Sequence, residues 1–313
     1  MGEPAALVVT GATATGKTAL AIEVARRIGG SVISMDSRQV YRGMDIGTAK
    51  PSVAERRGVP HYGFDVVGPD ERYSAGRFAR DARRWIADIR AAGRVPILAG
   101  GTGFFLRALT DPLFEEPPMR TDRREALKAW LSALPNAELA RWAERLDPTQ
   151  AARGGGRQRQ ARAIEVALLT GRPLSGWQRA APARQPRLDA RVFVLDLSRD
   201  KLVRRVDARV HDMVAAGLVA EVDTLLRSGH GPDDPGMNAT GYIELIPHLA
   251  GKTTLEAAVE RIQAATRRYA RRQRTWLRHQ LPADAVRLDA ARPTGELAGA
   301  VVESWQANRE AET

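Results

Sequence analysis

"ALVVTGATATGKTALAIEVARRIGG", residues 6–30, decides the architecture of this chain. Its apolar start reads as a short buried strand and its glycine-rich centre as a loop, while the amphipathic run that Gly29-Gly30 stops reads as a helix. Gly11-Ala12-Thr13-Ala14-Thr15-Gly16-Lys17-Thr18 fits G-x-x-x-x-G-K-[ST] and lies between that strand and that helix. In this context the loop N–H groups wrap an anion at the positive end of the helix, and Lys17 adds a mobile cation. The Thr18 hydroxyl suits Mg²⁺, so a phosphate-binding loop with Mg²⁺ as cofactor is expected. The motif alone does not say which phosphate it holds.

Working outward, "SVISMD" (residues 31–36) is a second strand of the same apolar kind. "SAGRFARDARRWIADIRAAG" (74–93) has a serine start, helical spacing through Phe78, Trp85 and Ile89, and a glycine stop; it feeds the strand "RVPILAGG" (94–101). Strand and helix in alternation mean a parallel sheet with helices on its faces. After "DPLFEEPPMR" (111–120) the pattern changes, and residues 121–174 read as wholly helical. "GRPLSGWQRAAPARQPRLDA" (171–190) reads as a linker by its Gly, Pro and Ala content. "RVFVLDLS" (191–198) returns to strand, helices run on to Leu277, and "AVRLDA" (285–290) is a final strand. The expected fold is therefore α/β, a P-loop parallel sheet core over 1–120 and 190–313, interrupted by an all-helical insertion domain with its linker at 121–189.

Composition narrows the function. The chain has 313 residues and no cysteine, which excludes disulfides and thiolate metal sites and agrees with a reducing cytoplasm. Its apolar runs are far shorter than the ~20 residues that span a bilayer, and no basic-then-apolar leader is present, so a soluble, unexported protein is expected. Net charge is +11, and the excess is clustered. Residues 153–187 hold eight arginines and one acid, and residues 259–280 hold seven arginines and one acid. Clusters of this kind are the footprint of a polyanion partner.

A P-loop that handles phosphate also wants an acid at the end of a neighbouring strand. Asp196, in "VFVLD", reads as a strand-end cap. Asp36, after "VISM", lies beside the phosphate loop, where ligands sit in open α/β sheets.

At this point the residues resemble a family. "GATATGKT", "DSRQVYRGMDIGTAKP", "GGTGFFLRAL", "RQRQARAIEVALLTGRPLS" and "TRRYARRQRTWLR" stand in the order and spacing of the tRNA dimethylallyltransferases, also called tRNA isopentenyltransferases, over Leu7 to about Leu281. The resemblance implies transfer of a dimethylallyl group from dimethylallyl diphosphate to N6 of the adenosine just 3′ of the anticodon, in tRNAs that read codons starting with U. The P-loop would then cradle the prenyl diphosphate, with Arg209 as a further diphosphate contact. Asp36 resembles the base that takes the amine proton, and Thr102 a contact for the target nucleotide; with Lys17 they form the expected catalytic set.

The resemblance also implies tRNA contacts at Asp36, Ser37, Arg38, Gln39, Thr102, Arg124, Gln158, Arg159, Gln160, Ala161, Arg162, Asn238, Gly241 and Tyr242. Two readings stand for Tyr242, stacking on a base or half-buried packing, and two for Phe104 and Phe105, lining of the prenyl pocket or the core position usual for apolar residues at a helix start. The helical insert would clamp the anticodon stem-loop, with Arg157, Arg159 and Arg162 meeting phosphates. Arg267, Arg271, Arg274 and Arg278 fall at i, i+4, i+7 and i+11, a single helical stripe. Gly155-Gly156 stands where the family commonly has Asn-Asp, Ala12 where proline is common, and Phe104-Phe105 where Leu-Tyr is frequent. Two rivals remain: a small-molecule kinase in which Asp36 deprotonates a hydroxyl, and a non-catalytic ATP-dependent RNA-binding protein. The basic surface offers no self-complementary patch, so a monomer is the default expectation.

Overall fold

The computed structural model describes residues 6–111, 119–180 and 187–310. In chain order the first elements are β1 (Ala6–Gly11), α1 (Lys17–Ile28), β2 (Gly30–Ser34), β3 (His61–Tyr62), α2 (Ala75–Ala91), β4 (Val95–Gly100) and α3 (Gly103–Thr110). A helical run follows: α4 (Thr121–Ala133), α5 (Asn136–Leu146), α6 (Pro148–Ala152), α7 (Arg157–Thr170) and α8 (Leu174–Ala180). The chain then returns through β5 (Ala190–Asp196), α9 (Arg199–Ala215), α10 (Leu218–Arg227), α11 (Ile246–Leu249), α12 (Leu255–His279), β6 (Val286–Asp289) and α13 (Thr294–Glu310).

Six strands form one parallel sheet in the order β3-β2-β4-β1-β5-β6. Alternation along β1 serves both faces. Leu7 and Val9 pack with Leu20 and Val24 of α1 and Val301 and Trp305 of α13, whereas Ala6 and Val8 pack with Phe78 and Ile89 of α2 and Leu106 of α3. Burial on both faces is what makes a parallel strand read as an unbroken apolar run. From β1 the chain leaves first towards β2 and later returns to β5 on the other side, so the carboxyl end of β1 lies at a topological switch point, where such sheets bind ligands.

Helix ends follow their sequence signals. Ser74 accepts the Arg77 N–H at 3.1 Å as the N-cap of α2, and Gly29 closes α1 in the left-handed conformation at φ 66°. β2 stops at Ser34, so Met35 and Asp36 are loop residues rather than strand as expected.

The chain divides into two compact units, Met1–Asp111 with Leu188–Thr313, and Pro112–Arg187. The helical unit thus starts earlier than the expected residue 121 and ends just short of 189. A physical reason for the return point is that Leu188 N–H donates to Leu109 O at 2.9 Å, which ties the returning chain to the end of α3. The expected linker is corrected in part: residues 174–180 are helix α8. Leu174 packs against Ala163 and Val166, and Ser175 N–H donates to buried Asp147 at 2.8 Å. Residues 181–186 of that stretch lie outside the described residues.

Two elements went unread in the sequence: the short edge strand β3 and helix α13, although Leu297, Val301 and Trp305 recur at four-residue spacing. Among the described residues no helix is long and apolar enough to cross a membrane.

Candidate active site

The loop after β1 closes on itself. Thr15 Oγ1 donates to Ala12 O at 2.8 Å and Lys17 Nζ donates to the same carbonyl at 2.7 Å. Ala14 and Gly16 take positive φ of 61° and 90°, which turns the backbone sharply into α1. Gly16 is the N-cap of α1 and makes no side-chain cap, so the helix presents its N–H groups uncovered. Part of Lys17 reaches solvent, but its ammonium is enclosed. Burial, with Arg209 close by, lowers its pKa to about 8 against the opposing charge of Asp36.

A cavity of about 350 Å³ adjoins this loop, and its wall includes Thr13, Lys17, Thr18, Asp36, Arg209 and Gly100. The expected diphosphate loop, the expected base and the expected diphosphate arginine are therefore gathered at one site. Arg209, on α9, has its pKa lowered by burial, with Asp36 opposing that shift. Lys17 and Arg209 are two desolvated cations facing a space fit for a polyanion.

Asp36 enters this site from the loop after β2. Its Oδ1 accepts the Arg38 N–H at 2.8 Å, a local turn that fixes the carboxylate. Met35 braces the loop against the end of β4: its N–H donates to Ala99 O at 2.8 Å and its carbonyl accepts the Thr102 N–H at 3.3 Å. At Gly100 a Cβ would run into the Met35 backbone, so that approach requires glycine. Thr102, the N-cap of α3, accepts the Ser37 N–H at 3.1 Å, which links the Asp36 loop to the β4 loop.

Sequence reasoning gave the Asp36, P-loop and Arg209 cluster but assigned no role to two residues of α12. The Tyr269 hydroxyl hydrogen-bonds Thr102, and burial and the Asp36 charge push its pKa up to about 12. Gln273 is buried, accepts the Thr13 N–H at 2.8 Å and donates to Gly101 O at 2.9 Å. With Trp276, which packs on Gly103, they stand at i, i+4 and i+7. That spacing was legible in the sequence, two residues out of phase with the arginine stripe.

Several expected contacts are corrected. Tyr242 is fully buried in the core formed by α9, α10 and α12, and its hydroxyl donates to Glu221, so it has no face to offer a base. Gln39 is buried: its amide accepts from Ser34 Oγ at 2.7 Å and donates to Thr48 O and Ala49 O, and it braces the loop. Phe105 stacks on Phe78 at 4.2 Å in the core, and Phe104 is exposed; neither lines the cavity. Asn238, Gly241, Ser37 and Arg38 do line it, as does Gln39 despite its bracing bonds, and Arg38 also donates to Pro235 O at 2.9 Å. Asp196 is a strand-end acid that accepts the Leu197 N–H at 2.9 Å, as read from the sequence.

Within the helical unit, Arg157 donates to Leu131 O, Ser132 O and Leu134 O, so it caps the end of α4 rather than meeting phosphates. Arg124 and Arg162 both pair with buried Glu165. Gln158 and Arg159 are exposed on the first turn of α7, with Gln160 and Ala161 half-buried behind them. A Cβ at Gly155 would meet the Arg159 side chain at 2.6 Å, so the glycine leaves room for that arginine to fold back onto Gly154 O. In the stripe on α12, Arg267 pairs with Asp207 at 2.7 Å, while Arg271 and Arg278 are exposed.

Fold and site together define a parallel-sheet α/β protein that sets a carboxylate beside two enclosed cations at the carboxyl end of β1. Comparison with known proteins makes this specific: a family model described as IPP transferase matches residues 39–280, and one described as Isopentenyl transferase matches residues 4–62. The chain belongs to the IPP transferase family. It is 44% identical over 274 residues to a tRNA dimethylallyltransferase of Geobacter metallireducens, covering 87% of this chain and 89% of that one. A tRNA dimethylallyltransferase of Thermomicrobium roseum is 45% identical over 285 residues, covering 86% and 82%. Among solved structures, the tRNA delta(2)-isopentenylpyrophosphate transferase of Staphylococcus epidermidis is 35% identical with a TM-score of 0.69 and covers 97% of this chain and 98% of its own. A eukaryotic dimethylallyltransferase acting on tRNA is 28% identical with a TM-score of 0.78, covering 91% and 73%.

Proposed function

We propose that this chain transfers the dimethylallyl group of dimethylallyl diphosphate to N6 of the adenosine immediately 3′ of the anticodon, in tRNAs that read codons starting with U. The observation that carries the reading is the single cavity wall shared by Lys17, Thr18, Arg209 and Asp36. A polyanionic leaving group and a proton acceptor are both provided for there, within a family whose members are named tRNA dimethylallyltransferases.

The adenine exocyclic amine is a weak nucleophile because its lone pair is delocalised into the ring. As its nitrogen bonds to the allylic carbon, the carbon–oxygen bond to diphosphate breaks and the amine gains positive charge. Asp36 takes the amine proton, a step worth roughly 10²–10⁴-fold. Lys17, Arg209 and the N–H groups at the start of α1 meet the negative charge that grows on the departing diphosphate. Thr102, held by Ser37 and Tyr269, orients the acceptor beside Asp36.

The donor set also suits Mg²⁺. The Thr18 hydroxyl, on the cavity wall beside the proposed diphosphate, would hold the ion together with phosphate oxygens and water, the hard oxygen donors Mg²⁺ takes. When bound, the ion supplies charge neutralisation on the diphosphate.

To reach the cavity the adenosine leaves its stack, at a cost of about a few kcal/mol. The exposed Gln158 and Arg159, with the exposed arginines of α12, are the groups we assign to the tRNA phosphates. We propose that the chain acts in the cytoplasm as a monomer. Incubation with dimethylallyl diphosphate labelled in the prenyl carbons, or with ATP labelled in its γ-phosphate, each with unmodified tRNA, tests the reading. Prenyl label in the RNA is expected. Transfer of phosphate from ATP to a small molecule would favour the kinase instead.

A further inference from the structure

We propose that Gln273 is a positioning residue that sets the distance between the prenyl diphosphate and the acceptor base by joining the two loops that hold them. The inference rests on the activity proposed above. Its basis is one side-chain amide that serves two loops at once. Gln273 Oε1 accepts the Thr13 N–H of the phosphate loop at 2.8 Å, and Nε2 donates to Gly101 O, in the loop after β4, at 2.9 Å. These partners are 260 and 172 residues away in sequence, and no other element bonds both loops through a single side chain among the described residues.

The linkage continues from Gly101 to the proton acceptor. Thr102 follows it and accepts the Ser37 N–H at 3.1 Å, and Ser37 follows Asp36. A continuous path therefore runs from the phosphate loop through Gln273 to the Asp36 loop. The neighbouring inward positions of α12 reinforce it: the Tyr269 hydroxyl bonds Thr102, and Trp276 packs so closely on Gly103 that any Cβ there would collide. At Gly101 a Cβ would collide with the Gln273 amide itself. Three successive inward residues of one helix are thus spent on three consecutive residues, Gly101, Thr102 and Gly103, where β4 passes into α3.

The residue type is dictated by the double task. It must accept from an N–H and donate to a carbonyl while uncharged, at the length of glutamine. An ionised glutamate keeps the Thr13 acceptor but cannot donate to Gly101 O, and asparagine is too short to reach both. Methionine keeps the volume and makes neither bond, which leaves a half-buried N–H and a buried carbonyl without that partner. Gln273 also lines the cavity beside the phosphate loop, but both ends of its amide are committed to Thr13 and Gly101, so the role assigned to it is to hold the two loops in register.

The full-length Gln273→Met and Gln273→Glu proteins test this against wild type in three readouts: single-turnover prenyl transfer at saturating donor and tRNA, affinity for inorganic diphosphate, and thermal midpoint. Because misplacement of reacting groups by about 1 Å costs on the order of 10²-fold in rate, Gln273→Met is expected to lose about that factor while diphosphate affinity changes less than about threefold. Gln273→Glu, which keeps shape and one of the two bonds, is expected to lose rate in the same direction, and it carries the test alone if the methionine variant does not fold. A rate unchanged in both variants overturns the proposal. So does a rate that falls only in step with diphosphate affinity or with thermal midpoint. A wild-type protein that transfers no prenyl group would sink the underlying reading and this inference together, whereas an active wild type with unimpaired variants would sink this inference alone.

Discussion

Asp36 fixes a local turn and lines the cavity, and the proposed function adds to these the role of proton acceptor. One of its oxygens accepts the Arg38 N–H and fixes the turn, and the carboxylate as a whole lines the cavity that Lys17 and Arg209 also enter. Asp36→Asn retains the turn acceptor and removes the proton acceptor. We therefore expect kcat to fall roughly 10²–10⁴-fold with little change in inorganic diphosphate affinity, measured by single-turnover transfer and by calorimetry. An unchanged kcat would remove the base assignment. At this scale the sequence was informative where a motif fixes backbone and chemistry together, as at Gly11 to Thr18. It was uninformative for Gln273 and Tyr269, whose roles depend on contacts made far away in the chain.

Elements carry the next set of consequences. The loop 45–47 is held by one carboxylate of α10: Glu221 accepts the N–H groups of Asp45, Ile46 and Gly47 at 2.9, 2.7 and 3.1 Å, and also the hydroxyl of Tyr242. Gly47 is pressed against the Tyr242 ring, where a Cβ would collide. Removing this carboxylate strands three N–H groups, so Glu221→Ala should lower stability to urea by about 2–3 kcal/mol, and Tyr242→Phe by about 1 kcal/mol. Tyr242 was legible as an important position, with packing and base stacking both open, because a tyrosine in a loop gives no periodicity that separates core from surface. At the sheet edge, His61 of β3 donates from Nδ1 to Val59 O at 2.8 Å, while its Nε2 is buried without a partner among the described residues. Burial lowers its pKa, and Arg56 adds to that shift against the Val59 bond. The folded state then resists the proton that the unfolded state accepts, so the contribution to stability is full above about pH 6.5 and is lost as pH falls below it. In His61→Phe the decline in thermal midpoint from about pH 6.5 to 5 should be shallower than in wild type, read by circular dichroism. A strand of two residues such as β3 is too short to read from alternation, whereas the long buried runs of β1 and β4 were plain.

For the whole molecule, the charge of +11 is the property that joins a P-loop protein to a polyanion. Binding of an anticodon stem-loop should weaken linearly in the logarithm of salt concentration, and Arg159→Ala should reduce that slope by about 1 while leaving the chemical step alone. A slope unchanged by this variant would remove Arg159 from the phosphate contacts. The two-part organisation was legible from the shift to continuous helical spacing after residue 120, but the arginine clusters overstated the free cations. Arg157, Arg124, Arg162 and Arg267 are engaged with carbonyls or acids of their own unit, and sequence counts charges without counting their partners. The central claim is that the P-loop and Asp36 cooperate to prenylate one adenosine. Incubation of wild-type protein with unmodified tRNA and dimethylallyl diphosphate, followed by nuclease mapping and mass spectrometry of the RNA, tests it most directly. The account predicts a dimethylallyl group on N6 of the adenosine 3′ of the anticodon and nowhere else; RNA that remains unmodified, or that carries the group at a different nucleotide, would contradict it.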